Sequence, residues 1–334
     1  MDKITFQAIT KEFPGTGKRA VDEVSFGVPE GSTCMLVGTS GAGKTTLLRM
    51  VNRLIEPSAG AILIDGKNIL EEDPILLRRR IGYVIQQVGL FPHLNVAENI
   101  RVTAEIAGGW TPQRLNERVD ALLDLVGLPP AEYRKRFPRE LSGGQQQRIG
   151  LARALATDPA ILLMDEPFGA LDAITRGHMQ DELLRIQENV RKTILFVSHD
   201  IAEAFKLGTQ IAVMSEGRLV QLATPVEILT NPANAMVSQL VGADNVLREL
   251  EYLPVTEALD PPGDLNAGLA AARRCAADDS LLSALLTLLE TNAGALVVEE
   301  RPARRVLGTV SLASITRHIT RQHQAVQMEQ RVDA

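Results

Sequence analysis

The segment Gly38-Thr39-Ser40-Gly41-Ala42-Gly43-Lys44-Thr45 sets glycines, a lysine and a hydroxyl at the spacing G-x-x-x-x-G-K-[ST], directly after an apolar run and ahead of a helical pattern. Glycines there let backbone N–H groups curl around phosphate oxygens, and the helix N-terminus adds a favourable dipole. Lys44 supplies a point charge, and the Thr45 hydroxyl is a hard oxygen suited to Mg²⁺; Thr46 follows in the same turn. Further on, Ile161-Leu162-Leu163-Met164-Asp165-Glu166 is an apolar strand that ends in two acids. Asp165 is expected to reach the metal from the strand end, and Glu166 to polarise an attacking water. Alone, two acids at a strand exit could simply be solvated; beside a phosphate loop they point to Mg²⁺-assisted hydrolysis of a nucleoside triphosphate.

A second anion cradle stands at Leu141-Ser142-Gly143-Gly144-Gln145, where serine and two glycines precede a helical run. One phosphate loop has no use for a second cradle within the same site, so this one is expected to serve a nucleotide held by another subunit. A plain helix cap is the alternative.

These residues need elements to hold them. Alternation at Ile4, Phe6, Val21, Val24 and Phe26, broken by Pro14-Gly15-Thr16-Gly17, predicts an antiparallel start. Thr33 to Val37 predicts a buried strand, Lys44 to Asn52 a helix, and Ile62 to Ile64 and Ile81 to Ile85 further strands. Leu115, Val119, Leu122, Leu123 and Val126 recur at helical spacing. Ile161 to Met164 and Ile194 to Val197 are continuous apolar runs, as in parallel strands buried on both faces. Two domains are expected, 1–240 and 250–325, the second a small α+β tail with a helix at Leu281 to Leu289 and strands at Ala295 to Val298 and Val306 to Val310.

Composition narrows the classes. With 334 residues, 45% hydrophobic and 23% charged, the chain reads as globular. Its net charge of −6 argues against a dedicated nucleic-acid binder. Cys34 and Cys275 have no spaced companions for zinc or a disulfide framework. Neither a secretory signal at Met1–Thr5 nor an apolar run of the roughly 18 residues that span a bilayer is visible, so any membrane role is expected to fall to a partner.

The phosphate loop and the acidic strand end define the broad P-loop NTPase class. With Leu141–Gln145 the sequence resembles the nucleotide-binding subunits of ABC transporters, over about residues 1 to 235. The resemblance implies an α/β P-loop ATPase core with an antiparallel β subdomain and a helical subdomain. It implies a head-to-tail dimer with a second copy, in which Ser142, Gly143, Gly144 and Gln145 face the γ-phosphate of ATP held by the partner's loop. By the same resemblance Gln86 looks like the Q-loop glutamine, binding metal or the attacking water, with Gln87 beside it as the less favoured bearer. Asp172, in Phe168-Gly169-Ala170-Leu171-Asp172, looks like the D-loop acid that crosses between sites; His199 looks like the switch histidine; Phe13 is the candidate for stacking on adenine, or else a core residue.

Within that family, Gly89-Leu90-Phe91-Pro92-His93-Leu94-Asn95-Val96-Ala97-Glu98-Asn99 looks like the importer form of a permease-docking segment. Arg78 to Gln87, Asn52 to Pro57, Asp172 to Arg176 and Asp244 to Arg248 together resemble the importers of glycine betaine, choline, carnitine and related quaternary amines. That implies transmembrane permease subunits, an external solute-binding protein, and a peripheral position at the cytoplasmic face of the inner membrane. The alternatives are an importer for another polar solute, such as an amino acid, and a soluble ABC ATPase outside transport. Ala276 to Leu286, Gly294 to Val298 and Val306 to Val310 resemble one CBS unit, where the subfamily often carries a tandem pair.

Overall fold

The computed structural model describes residues 2–15, 17–86, 89–242, 250–260, 273–291, 293–302 and 304–319. Thr16 of the expected turn, Gln87, the Asp244–Arg248 segment and most of the loop expected at 260–264 lie outside the described residues.

Packing divides the chain into two units, Met1–Thr224 and Pro225–Ala334. The division falls earlier than the expected 240–250. Proline cannot extend the strand that ends at Ala223; it opens a helix, Pro225–Thr230, and Val226 then packs on the core of the second unit.

In the first unit β1 (Asp2–Glu12) and β2 (Arg19–Pro29) pair antiparallel, followed by β3 (Thr33–Gly38), α1 (Lys44–Val51), β4 (Ala59–Ile64), β5 (Lys67–Asn68), α2 (Pro74–Arg79) and β6 (Ile81–Val84). A helical part follows: α3 (Val96–Ala107), α4 (Pro112–Leu125), α5 (Pro130–Tyr133) and α6 (Gly143–Leu155). The chain then returns through β7 (Ile161–Asp165), α7 (Ala173–Val190), β8 (Thr193–Val197), α8 (Ile201–Leu207), β9 (Gln210–Ser215) and β10 (Arg218–Ala223). One sheet runs β2-β1-β4-β5, and the other, six-stranded, runs β10-β9-β3-β8-β7-β6.

The strand and helix expectations for this unit are met, and the reason is apolar placement. On β1 the alternating Ile4 and Phe6 face inward, and Phe6 stacks on Phe26 of β2 with centroids 4.5 Å apart. Leu47, Leu48 and Val51 of α1 join the same core, which also takes Leu36, Leu163 and Leu195 from the second sheet. β3, β7 and β8 are buried on both faces, so their runs are continuous where β1 alternates. In the helical part, Ile100, Leu115, Val119, Leu122 and Ile149 close a contact between α3, α4 and α6.

The second unit has a three-stranded sheet, β11 (Arg274–Ala276), β12 (Leu296–Glu300) and β13 (Arg305–Val310), with β11 parallel and β13 antiparallel to the central strand. Helix Leu281–Thr291 connects β11 to β12 and buries Leu281, Ala284 and Leu288, spaced three and four apart, in a core of their own.

Gly82 on β6 fixes how closely α6 approaches the sheet. A Cβ there would lie 2.6 Å from the Ala154 carbonyl oxygen and 2.5 Å from Leu162 Cδ2. Substitution Gly82→Ala is expected to cost about 1–3 kcal/mol through overpacking, read as a lower urea midpoint of unfolding. An unchanged midpoint would mean that α6 can withdraw without loss.

Candidate functional site

The loop after β3 can fold only with glycine at two points. Gly38 has φ +139°, and a Cβ would lie 2.0 Å from Met214 O; Gly43 has φ +94°, and a Cβ would lie 2.2 Å from Ala20 O. These turns leave Lys44 only 7% exposed. Its ammonium donates to Gly38 O at 2.8 Å and Thr39 O at 3.0 Å, closing the loop on itself. Burial lowers the Lys44 pKa, while the nearby negative charge of Glu166 works to raise it. A cavity of about 530 Å³ opens over Ser40 to Thr46, with Ala20, Glu166 and His199 on its walls.

Asp165 ends β7 almost fully buried. Its Oδ1 accepts from Thr45 Oγ1 at 3.0 Å, and its Oδ2 lies 3.2 Å from Arg49 Nη2 and 3.4 Å from the Tyr83 hydroxyl. Arg49 and Tyr83 were not singled out by the sequence reading. Arg49 is four residues after Thr45 and so lies on the same face of α1, a signal the spacing carried. Tyr83 arrives from the neighbouring strand β6, through the register Met164↔Val84, and burial raises its pKa, with the charge of Asp165 adding to the rise.

Glu166 is the next residue, and its backbone turns left-handed, φ +46°. That conformation is costly for a side-chain-bearing residue and is held by Glu166 N–H donating to Val197 O at 3.0 Å. The turn aims the carboxylate at two other sequence-identified residues: Gln86 Nε2 donates to Oε2 at 3.0 Å, and His199 Nδ1 lies 3.3 Å from the same oxygen. Three strand ends therefore meet at one carboxylate oxygen.

Ser142 to Gln145 lie elsewhere. Ser142 caps α6 in a reciprocal pair: Gln145 N–H donates to Ser142 Oγ at 3.3 Å, and Ser142 N–H donates to Gln145 Oε1 at 2.9 Å. Gln145 Nε2 continues to the Tyr133 hydroxyl at 3.1 Å. Ser142, Gly144 and Gln145 line a different cavity, of about 340 Å³, together with Arg148, Thr175 and His178. Asp172 caps α7 by accepting from Thr175 N–H at 3.0 Å, and that backbone bond, with the Thr175 side chain, holds its carboxyl below the usual range. Phe13 follows β1 just beyond the Glu12↔Arg19 pair; it is exposed, lies under the Lys11 ammonium at 5.2 Å, and does not line the phosphate-loop cavity. The core alternative for Phe13 is thereby removed.

The family model described as ABC transporter matches residues 21–169. The osmoprotectant import ATP-binding protein OsmV of Salmonella typhimurium is 49% identical over 267 residues, covering 79% of this chain and 70% of that protein. The choline transport ATP-binding protein OpuBA of Bacillus subtilis is 49% identical over 245 residues, covering 73% of this chain but 64% of that protein, so the chain spans less than two thirds of it. Among solved structures, a dimeric post-hydrolysis state of the ATP-binding cassette MJ0796, bound to ADP and Pi, superposes with a TM-score of 0.60 at 30% identity over 66% of this chain and 98% of that one. The paired acids at the end of β7, the phosphate loop, the capped α6 and these similarities place the chain in the ABC transporter family.

Proposed function

We propose that the chain is the ATP-hydrolysing subunit of an importer for osmoprotectants such as glycine betaine, choline or carnitine. The separation of its two anion-binding elements carries the reading. Ser40 to Thr46 of the phosphate loop, Glu166 and His199 line one cavity, with Gln86 bonded to Glu166 and Asp165 to Thr45, while Ser142, Gly144 and Gln145 line another, so each is read as half of a site that a second, head-to-tail copy completes. The dimeric form of the similar MJ0796 cassette supports this arrangement.

In each composite site Lys44 supplies positive charge where burial makes it count, and the N-terminus of the partner's α6 offers backbone donors to the terminal phosphate. Thr45 Oγ1 and Asp165 Oδ1, 3.0 Å apart, are hard oxygens that would hold Mg²⁺, and the amide oxygen of Gln86 would be a further donor. When bound, the ion offsets phosphate charge. Glu166 takes the proton of the attacking water, and Gln86 and His199 hold its carboxylate at the place where that water must stand. Phe13, exposed just past the end of β1, is read as the aromatic that meets an adenine ring.

No helix among the described residues is long and apolar enough to cross a membrane, and in this reading the crossing belongs to transmembrane permease subunits. Their docking surface is a groove of about 380 Å³ at the edge of β6, with the exposed Ile75 of α2 and Ile106 of α3 on its walls. Phe91, 43% exposed, stands close by on a loop pinned by the buried Asn99, which accepts from Phe91 N–H at 2.7 Å and donates to Phe91 O and Leu94 O. Arg153 on the groove wall donates to Gly89 O at 2.8 Å, which connects the docking face to the loop that carries Gln86. The solute, delivered by an external binding protein, never touches this chain; its class rests on the import relatives. The second unit is read as one CBS-like half-module that supports dimerisation, and the assembly as peripheral to the cytoplasmic face of the inner membrane.

Purified protein with Mg-ATP is expected to hydrolyse, and Glu166→Gln to lower kcat by about 10²–10³-fold. In dimers of two tagged chains, Lys44→Ala on one and Ser142→Arg on the other leaves one composite site whole and hydrolysis measurable, whereas both changes on the same chain damage both sites. Equal activity from the two arrangements would refute the shared site. In EDTA, Arg49→Met is expected to cost about 1 kcal/mol of stability by urea unfolding, modest because the guanidinium is 44% exposed. A cost no larger than that of Tyr83→Phe would show that the guanidinium does not hold Asp165. Proteoliposomes carrying the native permease complex should accumulate labelled glycine betaine, choline or carnitine when ATP is enclosed; uptake of an amino acid in place of all three would move the chain to the alternative importer.

A further inference from the structure

We infer that Glu203 and Arg176, which touch neither nucleotide-facing cavity wall of the phosphate loop, are positioning residues that fix His199 to α7 and through it to the interface loop ending at Asp172. The inference rests on the hydrolysis reading above and adds to it a pair of residues with no role so far.

His199 is 59% exposed along its side chain, and packing does not place it. Its neighbours on either side do. Ser198 is buried, and its hydroxyl accepts from Asp200 N–H at 2.9 Å and hydrogen-bonds to Glu203 Oε2. Glu203, 5% exposed on α8, also accepts at Oε1 from Gln180 Nε2 of α7 at 3.2 Å. On the other side, Asp200 caps α8 through Ala202 N–H at 2.9 Å, and its second oxygen lies 3.3 Å from Arg176 Nη1 of α7. Arg176 Nη2 donates at 3.0 Å to Leu171 O, one residue before the α7 cap Asp172. Arg176 and Gln180 are four apart, so both clamps spring from one face of one helix.

A buried carboxylate is expensive unless hydrogen-bonded, and burial raises the pKa of Glu203 while Ser198 and Gln180 oppose the rise. An apolar residue would fill this place at lower cost, so a carboxylate here calls for a reason beyond packing. Position supplies one. Glu203 and Arg176 share a cavity of about 10 Å³, room for about one water, with Glu166, Gly169, Ser198 and His199. A shift of the Leu171–Asp172 loop, the segment expected to meet the second copy, must therefore move α7, then Ser198 and Asp200, and with them the histidine between. The phosphate loop stands outside this chain of contacts, so ATP binding should survive its loss while turnover does not.

The test uses the full-length chain in its dimer, with steady-state ATPase, thermal unfolding and nucleotide titration in EDTA. Glu203→Ala should lower kcat by about 10-fold with KM for ATP within about two-fold, the signature of a loss confined to the transition state. Glu203→Gln, whose amide can still meet Ser198 and Gln180, should restore kcat to within about three-fold of the wild type. In a His199→Ala background, Glu203→Ala should cause no further loss, because residues acting through one another are not additive. Arg176→Met, at a partly exposed site that tolerates change, should show the same dependence on His199 and stands in if Glu203→Ala does not fold. An undiminished kcat, a KM that rises in step, or an equal further loss in the His199→Ala background overturns the inference. A wild-type chain without hydrolysis would instead sink the parent reading.

Discussion

Burial of β3, β7 and β8 on both faces sets their register, and from that register the site follows. Val197, the last residue of β8, pairs with Leu36 on one side and Asp165 on the other. The next residues on the three strands, the loop from Gly38, Glu166, and Ser198 with His199, therefore leave the sheet side by side. A slip of one residue in any of them would draw the polar residues at the strand end into the buried sheet or push an apolar residue out past it, so the point where each apolar run stops holds the catalytic alignment. Two cross-strand bonds secure the exit: Glu166 N–H to Val197 O at 3.0 Å and Ser198 N–H to Leu36 O at 3.1 Å.

Placing charges at the end of a buried sheet carries a desolvation cost, and the local sequence offsets it without any ligand. Asp165 is held by Thr45, Arg49 and Tyr83; Lys44 turns back on the carbonyls of its own loop. Both arrangements keep the groups oriented before nucleotide arrives, so less of the binding energy goes into ordering them. The left-handed turn at Glu166 is a further local strain at the point where the chemistry is proposed to occur, a usual place for it.

The sequence made the parallel strands, the phosphate loop and the acidic strand end legible because each is a local pattern: a run, a spacing, a capped helix. What it hid depends on neighbours distant in the chain. Tyr83 reaches Asp165 only because β6 lies beside β7, and Glu203 reaches Gln180, 23 residues away, only because α8 packs on α7. The early division at Pro225 is a subtler case. The proline was visible, but whether the helix it opens packs backward or forward is settled by Val226, one apolar residue among many. For Phe13, the strand ends one residue earlier, at Glu12, and the ring stays exposed beneath the Lys11 ammonium, which an aromatic residue in the sequence could not announce.

Glycine usage at the start of α6 separates what this chain needs from what a second copy would need. At Gly144 a Cβ would lie 2.8 Å from Thr175 Cγ2, so close packing against α7 is reason enough for glycine there. At Gly143 the nearest atom to such a Cβ is Leu171 Cδ2 at 3.7 Å, an ordinary contact, and the residue is the first of a helix, where glycine is a poor former. Ser142 and Gln145 already satisfy the cap between them, so no turn demands it either. A glycine that no contact among the described residues requires, at the N-terminus of a helix, fits a surface approached from outside by something that tolerates no side chain. The γ-phosphate of a nucleotide held by a second copy has that size and that charge.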